Sequence, residues 1–173
     1  TLTCPRSSLL FLLICCLSFS SAQAAETDSL QQLLDQVSIS QESLSAYETQ
    51  VHQVALLDSA LAMGHIVAAQ KEATQSNTSL YWELELIKAS CYATLKAGPY
   101  AIELYDLIAQ NEEEVTSELR AKALIHKAKT QKAEGDVAGS ISALEAALAL
   151  GKSVQDSLIY ANASLKLGIL YQR

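Results

Sequence analysis

The side chains that could do chemistry are scattered along this sequence and do not have the spacing of a catalytic or metal site. The histidines His52, His65 and His126 lie far apart, with no Cys, His or Asp neighbour at metal-ligand spacing. Glu83 and Glu85 are two residues apart on a predicted helix, so their carboxylates point to different sides. The sequence has no nucleophile-elbow, phosphate-loop or zinc-protease motif. We therefore expect no enzyme activity, cofactor or metal in this segment, although an output domain beyond it could be enzymatic.

The N-terminal residues have the pattern of a secretory signal peptide. Arg6 precedes the apolar run Leu9–Leu17, and the small-x-small triplet Ala22-Gln23-Ala24 follows. The run is shorter than the roughly 20 apolar residues of a membrane span. We predict a signal peptide over residues 1–24 and a secreted or periplasmic location; an uncleaved membrane anchor is the alternative.

Removal of this segment changes both the charge and the cysteine content. Only Arg6 of the 12 cations lies in it, so 11 Lys and Arg remain against 19 Asp and Glu, a formal net charge of −8. Such a chain lacks the basic footprint of nucleic-acid binding. Cys91 is the one cysteine left, so no internal disulfide is expected and Cys91 is predicted to be a buried apolar residue.

Apolar residues recur every three or four positions along the rest of the chain, which indicates helices throughout. Residues 25–78 are predicted to form an N-terminal helical segment that Gly64 bends or divides. From residue 79 the pattern becomes regular, with a long helix, a tight turn and a shorter helix. The predicted helices cover residues 80–97, 100–110, 111–134, 137–150 and 153–173.

Small and large residues within this regular region follow a repeat pattern. Ala128, Gly135, Ser140, Leu144 and Ala147 have the offsets of a tetratricopeptide-repeat helix pair, and residues 79–173 resemble that family. Further matches are Cys91 and Gly98 in the preceding unit and Leu167, Gly168 and Tyr171 in the following one. The resemblance implies an all-α fold in which antiparallel helix pairs stack as a short right-handed α-solenoid, continuing beyond the given C-terminus. It also implies tight helix crossings at Cys91, Ala128 and Gly168.

The resemblance further implies a concave face lined by the first helix of each pair. Around the three crossing residues, its positions carry six cations of an otherwise acidic protein. The predicted partner-binding residues are Lys88, Tyr92, Lys96, Lys122, Lys129, Lys132, Asn162 and Arg173. A concave cationic surface favours a protein or peptide of acidic character. The alternative is that these lysines form an ordinary solvated helix face.

The expected function is therefore an extracytoplasmic module that binds a protein or peptide. The chain resembles the sensory region of a larger bacterial signalling protein of the diguanylate cyclase or histidine kinase type. The alternatives are a free periplasmic scaffold or assembly factor, or the helical accessory domain of a cell-wall enzyme. The last predicted helix is apolar almost all round, so self-association through it is also expected. Membrane contact is expected only through a missing segment or an uncleaved signal.

Overall fold

The protein is a stack of helices in which neighbours along the chain pack against each other. The computed structural model describes residues 27–36, 39–40, 42–153 and 155–172, so the predicted signal peptide and Arg173 lie outside the described residues. The helices in these ranges are α1 (27–35), α2 (Leu44–Leu57), α3 (Ser59–Ser76), α4 (Thr78–Thr94), α5 (Gly98–Gln110), α6 (Ser117–Ala133), α7 (Val137–Ser153) and α8 (Ser157–Tyr171). The described ranges contain no β-strand, which confirms the predicted all-α solenoid. None of these helices combines the length and the hydropathy that a membrane crossing requires.

The stack has two layers. Helices α2, α4, α6 and α8 contact each other in sequence and form one layer, while α3, α5 and α7 each pack between consecutive members of it. The second layer repeats a small–large–apolar triad every 39 residues. The buried triads are Ala62/Ile66/Ala69, Ala101/Tyr105/Ile108 and Ser140/Leu144/Ala147. One core cluster also joins Val51 of α2, Ile66 of α3 and Leu84 of α4, so the stacking begins upstream of residue 79.

The structure places the crossing residue of α4 two positions before the predicted one. Ala128 lies 12 residues before Ser140, and both are buried where α6 crosses α7. Ala89 lies 12 residues before Ala101 in the same way, and both have no exposed surface. Cys91 is fully buried as predicted, but it packs in the core cluster of α2 and α3. Sequence reasoning therefore chose the wrong small residue of α4.

The predicted tight crossing at Gly168 is wrong. Gly168 corresponds to Ala128 by a 40-residue step, yet it is exposed, and a Cβ added there would meet nothing within 4 Å. The reason is the packing of α8: its partners among the described helices are α6 and α7, on the side of Ala163 and Leu167. Leu158 and Leu165, on the open side, are 77% and 66% exposed.

Several helix ends also differ from prediction because capping side chains determine them. Helix α3 runs through Gly64, and the break lies at Asp58, whose Oδ1 accepts a hydrogen bond from Leu61 N at 2.9 Å. Helix α6 begins at Ser117, after the cap residue Thr116, instead of at Asn111. Helix α7 continues past Gly151, which is buried: a Cβ there would lie 2.8 Å from Ile159 Cγ2.

Helices α4 and α6 end in the same hydrogen-bonded motif but with different residues in the left-handed position. Gly135 follows α6 with φ 88°, and Lys96 follows α4 with φ 60°. In both turns the next amide, of Asp136 or Ala97, donates to the carbonyl five residues back, at 2.8 and 2.9 Å. Only glycine adopts this backbone without steric cost, so Lys96→Gly should raise the free energy of unfolding by about 0.5–1 kcal/mol. Urea denaturation tests this, with Gly135→Ala expected to lower it by a similar amount.

Candidate functional site: a groove across three helices

A continuous groove crosses the exposed side of α2, α4 and α6. It consists of a cavity of about 370 Å³ and an adjoining one of about 450 Å³, both lined by Glu48 and His126. Each helix presents successive turns to the groove, because residues three and four apart share one helix face. The lining residues from these helices include Leu44, Ser45, Glu48, His52, Glu83, Leu86, Ile87, Ser90, Thr94, Glu118, Lys122, His126, Lys129 and Ala133.

Hydrogen bonds from α4 hold His52 at the floor of the smaller cavity. His52 Nε2 lies 2.7 Å from Ser90 Oγ, and His52 Nδ1 lies 3.2 Å from Thr94 Oγ1. Ser90 Oγ in turn donates to the carbonyl of Ile87 at 2.8 Å. A neutral ring that carries its proton on Nε2 satisfies all three contacts, since Ser90 Oγ then accepts and Thr94 donates. Burial is the main cause that lowers the pKa of His52 and favours this neutral form.

The same geometry argues against a serine–histidine nucleophile in this cavity. The hydroxyl proton of Ser90 points to Ile87 O, so His52 is not placed to remove it. Ser90 also lies within α4, where the neighbouring N–H groups are used in helical hydrogen bonds and cannot stabilise an oxyanion. The described residues contain no group of three His, Cys, Asp or Glu side chains able to hold a metal ion.

His126 of α6 lies between the two cavities in a cationic environment. Burial, followed by the charges of Lys129, Lys166, His52 and Lys122, lowers its pKa to about 4. The native protein therefore holds His126 neutral, whereas the unfolded chain takes up a proton below pH 6.5. Stability is complete above pH 6.5 and falls as the pH drops from 6.5 towards 4, by on the order of 2 kcal/mol in total.

This pH dependence can be assigned by substitution. Urea denaturation at pH 7, 6, 5 and 4 should give a shallower loss of stability for His126→Gln than for the unmodified chain. His52 contributes to the remaining slope in the same direction, because its pKa is also lowered. Parallel curves for the two proteins would show that His126 is not the titrating group.

The predicted partner-binding residues of α6 lie at the groove. Lys122 lines the larger cavity, where its Nζ lies 2.7 Å from Glu118 Oε1. Lys129 lines the smaller cavity. Lys129 and Lys132 also border a third cavity, of about 140 Å³, between α6, α7 and α8.

The predicted residues of α4 lie elsewhere, because their positions were counted from Cys91. Lys88 pairs with Glu85 at 2.8 Å, and Glu85 is buried against Gln70 of α3. Tyr92 packs in the α4–α5 core and contacts the ring of Tyr100. Lys96 is in the turn after α4. Counting from Ala89 instead gives the α4 positions that line the groove, Glu83, Leu86, Ser90, Ala93 and Thr94.

On α8, the structure adds a residue that the sequence reasoning missed. Asn162 is exposed, and Lys166, one turn later, lines the cavity between α6 and α8 together with Ile169. Glu48 and His52 were also missed, because α2 was placed outside the repeats. The 39-residue recurrence of the second-layer triads is the sequence signal that would have included α2. Self-association through α8 stays a prediction.

Comparisons of this chain with models of protein families, with curated proteins and with solved structures find no match.

Proposed function

We propose that this protein is an interaction module that binds an extended segment of another protein in the groove across α2, α4 and α6. The observation that carries the proposal is the groove itself: two adjoining cavities, of about 370 and 450 Å³, lined by polar side chains from three successive helices. Hydroxyl, imidazole, carboxylate and ammonium groups line it, and these are the groups that fix the register of a peptide backbone and its side chains.

The lysines of α6 suggest that the bound segment carries carboxylates. Lys129 is exposed at the groove and Lys132 is half-buried beside it. A concave wall of like charge raises the local concentration of oppositely charged ligands. The proposed role as the extracytoplasmic sensory or interaction region of a larger signalling protein rests on the pattern of residues 1–24 and on the repeat resemblance.

Titration with labelled peptides tests the proposal. The probe is a fluorescein-labelled 12-residue peptide of Gly, Ser and Thr with four Glu, and its partner carries Gln in place of Glu. Fluorescence anisotropy should show tighter binding of the Glu peptide, with an affinity that falls as salt is added. Replacement of Lys129 and Lys132 together by Glu should weaken this binding about 10-fold or more, a loss of about 1.4 kcal/mol.

The chain offers a matched control for this charge reversal. Lys88→Glu with Lys96→Glu changes the net charge by the same amount but alters residues that the structure places away from the groove walls. The control should bind the Glu peptide nearly as well as the unmodified chain. Equal losses in the two double variants would show that only net charge matters, and no binding of either peptide would overturn the proposal.

A further inference from the structure

Charges of opposite sign occupy opposite ends of the groove. Glu48 of α2 and Glu83 of α4 line the first part of it. Lys122 and Lys129 of α6 line the far wall, and Lys166 of α8 extends the cationic side. The groove is therefore acidic where it begins and basic where it ends, in contrast to the uniformly cationic surface that the sequence predicted.

The two remaining acids of the far wall have partners that reduce their effect on a ligand. Glu118 pairs with Lys122 at 2.7 Å. Glu134 has its carboxylate against Gly98, at the N-terminus of α5, where the helix dipole favours a negative charge. Lys129 is the exposed cation that remains at this wall.

His52 shows that the two walls act on the same space. The charge of Glu48 raises the pKa of His52 and the charge of Lys129 lowers it, so both side chains lie within electrostatic reach of one ring on the cavity floor. Glu48 Oε1 is 3.9 Å from His52 Nε2. A ligand over His52 is thus exposed to a carboxylate on one side and an ammonium group on the other.

We infer that the groove selects a peptide with separated charges, with cationic side chains over Glu48 and Glu83 and carboxylates over Lys129 and Lys166. This inference rests on the proposed function. Neighbouring helix axes are roughly 10 Å apart, so α2 and α6 are separated by about 20 Å, which an extended chain spans in about six residues. The favoured ligand therefore has a basic pair and an acidic pair separated by about six uncharged residues.

Three labelled peptides of equal length separate the two walls. The first has Lys-Lys, six Gly and Ser residues and Glu-Glu; the second replaces Lys-Lys by Gln-Gln; the third has the composition of the first with Lys and Glu alternating. All are acetylated and amidated, so that only side-chain charges differ. We expect the first to bind the unmodified chain about 5-fold more tightly than either of the others, measured by fluorescence anisotropy.

Substitution of Glu48 shows whether this preference comes from the acidic wall. Glu48→Gln should weaken the first peptide about 5-fold and leave the second unchanged, whereas Lys129→Gln should weaken both. Glu103→Gln, at an exposed position of α5, is the matched control and should change neither. If the second peptide binds through Lys129 but Glu48→Gln does not affect the first, the charge order is overturned and the proposed function stands. If none of the peptides binds, both fail.

Discussion

Tyr105→Ala should lower the free energy of unfolding by about 3–5 kcal/mol, a large part of the stability of a domain of this size. Tyr105 is 1% exposed and lies at the centre of the cluster that joins α4, α5 and α6. Its ring occupies the large position of the second-layer triad, between Ala101 and Ile108. Truncation removes the buried ring and leaves a cavity that rigid helices on both sides cannot fill.

Urea denaturation followed by circular dichroism measures this loss, and two variants separate its causes. Tyr105→Phe keeps the ring and removes only the hydroxyl, which bonds to Thr130, so a loss of about 1 kcal/mol is expected. Tyr100→Ala removes a ring that is 66% exposed on the same helix, and it should cost about 1 kcal/mol or less. A loss at Tyr105 no larger than that at Tyr100 would contradict the role of the triad.

Ala128→Leu should lower the free energy of unfolding by about 2–3 kcal/mol, because the larger side chain has no room where α6 crosses α7. Ala128 is 1% exposed and faces Ser140 and Leu144, which are equally buried. The helices must separate, or their side chains must leave favourable rotamers, to accept three more carbon atoms.

Gly168→Leu is the matched control, since Gly168 has the equivalent position one unit later. No atom lies within 4 Å of a Cβ added there, so the new side chain meets no obstacle. Leucine is also a better helix former than glycine, and a gain of up to about 0.8 kcal/mol is expected. Denaturation of the two variants should therefore give changes of opposite sign. A loss at both positions would show that another surface covers Gly168.

The sequence alone was sufficient to predict the elements of this fold. Ala- and Leu-rich composition and the three-to-four-residue apolar period indicated helices, and Gly135-Asp136 indicated the turn between α6 and α7. These are local effects, because propensity, capping and left-handed glycine depend on neighbouring residues. Local patterns also identified Lys122, Lys129 and Lys132, where Ala128 supplied the correct reference position.

Only the tertiary structure decided which small residue of α4 faces α5 and where the groove lies. Cys91 and Ala89 are both small and lie two residues apart on one helix, but Cys91 faces the preceding pair and Ala89 the following pair. Two residues correspond to a rotation of about 200° around a helix, so the wrong choice moved Lys88 and Tyr92 to the opposite side. The contacts of a helix with both neighbours fix this rotation, and they depend on residues about 40 positions away. For the same reason the acidic wall of Glu48 and the position of Gly168 on an open face required coordinates.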